Sequence, residues 1–280
     1  MSTAPPKPMA NMYPPATHRP TRDKRRKANR TAADARDRAR PAEHATAILY
    51  GWHTARAALE NPARRIRRLL ATENAARRLA TEGVPLAVPA EIVRPDVIAR
   101  RLSPDAVHNG LLVEADPLPS PELDDIEPAG IALVLDQITD PHNVGAILRT
   151  AAAFAVAAVI TTARHSPEAT GVLAKSASGA LEYVPMVTVQ NLGRALEALR
   201  ERGYLLVGLD STGENDIADA ALRAPLALVL GAEGKGLRQL TRTTCDVVAR
   251  LAMPGRVKSL NVSNAAAVAL YIASRRIATK

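Results

Sequence analysis

Ile131-Ala132-Leu133-Val134-Leu135-Asp136-Gln137-Ile138-Thr139-Asp140-Pro141-His142-Asn143-Val144-Gly145 passes from an unbroken apolar run into a polar turn, and then into the helical run Ala146 to Phe154. An apolar run without alternation fits a strand covered on both faces. Asp140 followed by Pro141 is a helix start, because a carboxylate caps free backbone N–H groups and proline tolerates the first helical position. Such a start also offers N–H groups to an anion. Working outward, further β-type runs lie at Ala157 to Thr161, Leu205 to Leu209, Leu226 to Leu230 and Val247 to Met253, with helical stretches between them. This alternation predicts an α/β unit: a parallel sheet with helices on both sides.

Upstream, the chain changes character. Residues 1–46 are Pro, Ala and charge, including Arg22-Asp23-Lys24-Arg25-Arg26-Lys27, and read as a disordered basic arm. Residues 47–116 form a small α/β domain, with apolar runs at Ile48 to Tyr50, Ile66 to Ala71 and Leu111 to Ala115 and helical patterns at Thr54 to Glu60 and Glu73 to Glu82. Residues 117–129, with Pro117, Pro119, Pro121 and Pro128, read as a stiff linker, and 130–280 as the larger α/β domain.

Composition narrows the partners. The 280 residues carry a formal charge of +9, which favours a polyanion, nucleic acid ahead of an anionic membrane. Aromatic residues are 2% of the chain, with Phe154 and Trp52 the single Phe and Trp, so a row of base-stacking rings is excluded. Contact with RNA then rests on arginine and backbone groups. Cys245 is the lone cysteine and reads as a small core residue, and no Cys and His spacing fits a metal. A chain without an apolar leader or a long apolar run is expected to be cytoplasmic.

Two later stretches matter. Leu228-Val229-Leu230-Gly231-Ala232-Glu233-Gly234-Lys235-Gly236 places glycines straight after a strand, without the closing Lys-Ser or Lys-Thr of a phosphate loop. Met253-Pro254-Gly255-Arg256-Val257-Lys258-Ser259-Leu260-Asn261-Val262-Ser263-Asn264 is a polar loop ahead of the helix Ala265 to Ile277. Taken singly, one is a tight turn and the other a helix cap.

In this order, Thr139 to Arg149, Gly231 to Gly236 and Ser259 to Ser263 resemble the three signature motifs of the SpoU branch of the SPOUT methyltransferases, across Ile131 to Arg276. The resemblance implies a deep trefoil knot, a homodimer, and S-adenosylmethionine as methyl donor with no metal. It implies cofactor contacts at Leu209, Gly231, Leu251, Met253, Leu260 and Asn261, and a catalytic group of Asn143, Arg149, Glu233, Ser259 and Asn261. Arginine stays protonated up to pH about 12, so Arg149 reads better as a phosphate clamp and oxyanion stabiliser than as a base. Glu233 or a water would take the proton.

Leu49-Tyr50-Gly51-Trp52-His53-Thr54-Ala55 and Val107-His108-Asn109-Gly110-Leu111 resemble the substrate-binding domain, similar to ribosomal protein L30e, of large-subunit rRNA guanosine 2′-O-methyltransferases. Lys175 to Pro185, with Ser176, Gly179 and Glu182, resembles the same subgroup. The resemblance therefore implies methylation of a guanosine ribose in 23S rRNA. A transfer-RNA methyltransferase of the same fold and a non-catalytic assembly factor are the alternatives; the small domain argues against the first and the intact motif residues against the second. Arg64, Arg65, Arg67 and Arg68 are candidates for RNA phosphates, equally readable as a solvated face. His53 and His108 read as structural.

Overall fold

The computed structural model describes residues 46–164 and 171–278; the expected basic arm lies, but for Thr46, outside the described residues. The N-terminal part is a four-stranded sheet of β1 (Ala47–Tyr50), β2 (Ile66–Ala71), β3 (Ala90–Ile92) and β4 (Leu111–Ala115), in the order β1-β4-β2-β3. Helices α1 (Trp52–Glu60), α2 (Glu73–Thr81) and α3 (Pro95–Ala99) accompany it. Thr72 caps α2 by accepting from the Ala75 N–H. Leu69, Leu79, Leu111 and Val113 are buried in the core between sheet and helices.

The C-terminal part is a seven-stranded sheet in which every pairing is parallel. Its strands are β5 (Ile131–Asp136), β6 (Ala158–Thr162), β7 (Met186–Val189), β8 (Leu205–Leu209), β9 (Asn215–Asp216), β10 (Leu226–Gly231) and β11 (Val247–Arg250), in the order β7-β6-β5-β10-β8-β11-β9. All of β5 is buried, as the unbroken apolar run requires, and β10 inserts between β5 and β8 with Gly231 opposite Asp136. Helices α4 (Pro141–Ala153), α5 (Gly171–Ala177), α6 (Leu192–Glu201), α7 (Gln239–Thr244) and α8 (Val262–Ala278) flank the sheet.

Asp140 caps α4 by accepting the His142 N–H at 3.0 Å, and Pro141 occupies its first turn. Val144, Ile147, Leu148 and Ala151 recur at helical spacing and are buried, so this face packs on the sheet and leaves Arg149 exposed. Truncating Leu148 to alanine would cost about 2–5 kcal/mol. Gly145 lets α5 approach: a Cβ there would lie 2.4 Å from the Ser176 Cβ and 2.9 Å from the Ala177 nitrogen.

Three local features differ from the sequence reading. The run expected to extend to Met253 leaves the sheet after Arg250, and Leu251 and Met253 are only half-buried. Strands β7 and β9, of 4 and 2 residues, are too short to leave a distinct β-type run in the sequence. The proline-rich segment contains a 3-10 turn at Leu123–Asp125, whose ends are satisfied by reciprocal contacts of Glu122 and Asp125. It is also fastened to the sheet: Ser120 Oγ donates to the Met186 carbonyl at 2.8 Å and accepts the Thr188 N–H, while Tyr204 donates to the Glu127 carbonyl. Among the described residues no helix is long and apolar enough to cross a membrane.

Candidate functional site

The C-terminal ends of β5, β10, β8 and β11 bring together the stretches singled out in the sequence, the position where open parallel sheets bind ligands. Asp136 ends β5 with its carboxylate fully buried, accepting from Arg238 Nε at 2.6 Å and from the Arg238 backbone N–H at 3.2 Å. This anchors the far end of the glycine loop. The near end is Gly231, where a Cβ would stand 2.2 Å from the Gly236 carbonyl carbon; Gly236 donates to the Ala232 carbonyl and closes the turn. Only glycine lets the two backbone segments come so close. The turn projects Glu233 into solvent.

Asp210, just past Leu209 at the end of β8, fixes the neighbouring loop. It accepts from the Thr212 N–H and hydroxyl and from the Leu237 N–H, and pairs with Arg242 at 3.1 Å. Burial pushes its carboxyl upward, but those hydrogen bonds and the Arg242 charge outweigh it and hold it below the usual carboxylate range. Neither Asp136 nor Asp210 was picked out in the sequence. An acidic residue at a strand end was the available signal, but the partners that define its role come from distant loops.

The segment after β11 forms the third wall. The Ala252 N–H donates to Asp216, and Lys258 Nζ donates to the Met253 carbonyl at 2.6 Å. Among the described residues, none of the backbone N–H groups from 253 to 260 donates within the chain. Asn261 then closes the wall against α4. Its Nδ2 donates to Asn143 Oδ1 at 2.9 Å, and its Oδ1 accepts from the Ser263 N–H and hydroxyl. Asn261, directly ahead of α8, thus caps that helix, and the same side chain also joins the first motif to the third.

Of the sequence-derived candidates, Asn143 and Asn261 are in contact. Leu209, Gly231, Leu251 and Met253 are partly buried along the strand ends, while Ser259 and Leu260 are exposed on the loop. Arg149 is not in that contact. It sits six residues beyond Asn143, about 9 Å along the helix axis and on a different face. Its side chain has no ion pair or hydrogen bond among the described residues. The residues present fit an adenosine-bearing methyl donor: half-exposed aliphatic walls, unpaired backbone amides and a strand end bare of side chain. No group of three or more His, Cys, Asp or Glu among the described residues is placed to hold a metal.

The four candidate phosphate contacts separate. Arg64 requires correction: its guanidinium is 4% exposed, donating to both Glu182 oxygens, at 2.6 and 3.1 Å, and to the Asp116 carbonyl at 2.9 Å. A cation so enclosed serves the packing of the small sheet against the segment after α5 and is withdrawn from RNA. Arg67 pairs with Asp116, and Arg68 forks onto Glu91 with 2.6 Å bonds. Arg65 projects into solvent, 3.7 Å from Asp116. His108 is structural in the loop sense, its Nδ1 accepting the Gly110 N–H. Cys245 is packed at the core edge, and burial pushes its thiol up to about 12.

Comparison with known proteins agrees with this geometry. Residues 130–271 match the model of the SpoU rRNA Methylase family. The chain is 40% identical over 240 residues to the 23S rRNA (guanosine-2′-O-)-methyltransferase RlmB of Pseudomonas putida, covering 81% of this chain and 96% of that protein. It is also 40% identical to RlmB of Vibrio cholerae, covering 82% and 96%. Among solved structures, the SpoU methyltransferase AviRb of Streptomyces viridochromogenes in complex with AdoMet superposes with a TM-score of 0.69 at 26% identity, over 91% of this chain and 93% of that one. Three motifs gathered at one end of a parallel sheet, a matching family model and relatives aligned along most of their length place this chain in the SpoU rRNA methylase family.

Proposed function

We propose that the protein transfers a methyl group from S-adenosylmethionine to the ribose 2′-hydroxyl of a guanosine in 23S rRNA. The observation that carries this reading is the Asn261 to Asn143 hydrogen bond, which joins two of the family's motifs beside Gly231 at the strand ends. The substrate follows the RlmB relatives, which align with both the small sheet and the large one.

In this reading Leu209, Gly231, Leu251, Met253, Leu260 and Asn261 hold the cofactor, with aliphatic walls on the adenosine and backbone amides of the 253–260 segment as hydrogen-bond donors. The cofactor supplies an electrophilic methyl on a sulfonium. Asn143, fixed by Asn261, and Ser259 orient the ribose, so that positioning provides much of the rate. Arg149 holds a phosphate and stabilises the developing oxyanion, and the hydroxyl proton leaves to Glu233 or a water. Arg149 completes the site from a second copy of the chain: it stands apart from the Asn143 and Asn261 pair, and Val257, Val268 and Tyr271 expose apolar surface on α8 and the loop before it, as a homodimer needs. A trefoil knot made by the C-terminal segment, an L30e-like substrate-binding role for 47–116, RNA attraction by the basic arm and a cytoplasmic location belong to the same proposal.

The test is transfer of labelled methyl from S-adenosylmethionine to unmodified large-subunit rRNA and, separately, to bulk transfer RNA, with the labelled nucleoside identified by mass. Label in a ribose-methylated guanosine of rRNA alone is expected; label in transfer RNA alone, or in neither, overturns the substrate.

A further inference from the structure

We propose that a cavity beside the small sheet receives one unstacked nucleotide of single-stranded RNA, with its base laid on the guanidinium of Arg78. The inference rests on the reading of the chain as an RNA enzyme and adds where it grips the strand away from the reacting ribose. The cavity has a volume of about 510 Å³, ample for a nucleotide, and lies between the start of α2 and the loop that leads into β4.

Its stacking surface is an arginine rather than a ring. Trp52 is buried at 6% exposure and cannot offer a face to a base, but the Arg78 guanidinium lies 3.7 Å from the centre of its indole. Glu82 holds the same guanidinium through Nε at 2.7 Å, and the side chain remains 56% exposed. One face of a flat cation is therefore fixed on the indole and the other is presented outward. Arginine planes stack on bases as aromatic rings do, and aromatic residues are only 2% of this chain.

The remaining lining residues are matched to hydrogen-bond acceptors. His108 Nδ1 accepts from the Gly110 N–H, which leaves the proton on Nε2 as a donor. Burial, with the nearby Lys175 charge, pushes the His108 pKa down, so the ring is neutral at pH 7. Asn109 Oδ1 accepts from Lys175 Nζ at 3.2 Å, leaving its amide Nδ2 for a ligand. Asn74 is exposed, with no side-chain partner among the described residues. No acidic residue lines the cavity. A flat cationic platform with amide and imidazole donors, and no carboxylate, suits a base with its ring oxygens and nitrogens and the phosphate that follows. An acidic peptide would use the donors but not the platform.

The experiment measures binding of a labelled single-stranded oligoribonucleotide of mixed sequence to the full-length protein by fluorescence anisotropy, with S-adenosylmethionine affinity followed in parallel. Arg78→Ala should weaken RNA binding about tenfold, within the range for loss of one stacked base. Arg77→Ala removes the same charge one residue away, outside the cavity lining, and should have a much smaller effect. Asn74→Ala, which touches nothing structural, should weaken binding about threefold, as loss of one hydrogen bond. In methyl transfer, Arg78→Ala should raise the KM for RNA and leave kcat at saturation unchanged. Equal losses from Arg77→Ala and Arg78→Ala, no loss from Asn74→Ala, or competition by polyglutamate as strong as by unlabelled RNA would each overturn the proposal. If the wild-type protein methylates rRNA while the Arg78 variant binds RNA normally, the cavity proposal alone fails. Absence of wild-type methylation fails the parent reading instead.

Discussion

Two polar regions of this molecule handle their charges in opposite ways. Along the seam between the small sheet and the segment from α5 to Glu182, each polar group named has a partner inside the protein. Arg64 and Asn61 both donate to the Glu182 carboxylate, Thr54 donates to the Ala174 carbonyl, and Lys175 donates to Asn109. Ala174 even counts among the core residues of the small sheet. At the strand ends, by contrast, Glu233, Ser259 and the backbone amides of 253–260 have no partner among the described residues, and neither has Arg149, farther along α4. The seam is finished when the chain has folded, whereas the strand-end site is finished only by something that binds. Charge type does not distinguish the two, since each contains an arginine and a glutamate; burial and pairing do.

The sharpest way to break this comparison is Arg149→Ala. If the residue is held for a ligand, turnover falls by about 10²–10³ or more, the range for removing one preorganised charge-stabilising donor, with S-adenosylmethionine binding and thermal stability unchanged. Single-turnover methylation and calorimetric titration of the cofactor check both halves. Loss of stability in the variant would make Arg149 a seam-type residue.

Glu182→Leu is the mirror experiment. It leaves the Arg64 guanidinium charged and enclosed, and removal of one partner of a buried pair costs about 3–5 kcal/mol. Denaturant unfolding should show that loss in full. Arg64→Met with Glu182→Leu should recover part of it, because two apolar side chains of similar volume replace the pair, although Asn61 and the Asp116 carbonyl then lose a partner. Failure of the double variant to recover any stability would mean that the pair does more than neutralise itself.

How much of this was legible in the sequence follows the range of the interactions. The start of α4 was readable because the Asp140 cap and Pro141 act within the same turn. The strands were readable because a two-sided burial demand leaves an apolar run. The insertion of β10 between β5 and β8 was not readable, since any of several parallel orders satisfies the same runs. The role of Arg64 was hidden for a related reason: among neighbouring arginines in one segment it looks like a solvated charge, and its partner Glu182 lies 118 residues away. The end of β11 misled in the opposite direction. Leu251 and Met253 continue the apolar pattern, yet they lie half-buried in the loop beyond the last strand, Leu251 against the edge of the core, where an apolar residue is not evidence of a strand. Asn261 and Asn143 were identified through family resemblance, and their mutual hydrogen bond emerged only from the fold.

Thr54→Val probes the seam at its finest grain. The Thr54 side chain is nearly enclosed and its hydroxyl donates to the Ala174 carbonyl at 3.1 Å, across 120 residues of chain. Valine preserves the shape and removes only that hydrogen bond, so the expected loss is about 0.5–1.5 kcal/mol in unfolding free energy. Methyl transfer should be unaffected, because the change lies on the finished side of the molecule. A drop in kcat without a drop in stability would show that the seam transmits its geometry through α5 to α4, against which α5 packs at Gly145, and the division between a finished seam and an open site would then have to be given up in favour of one continuous functional surface.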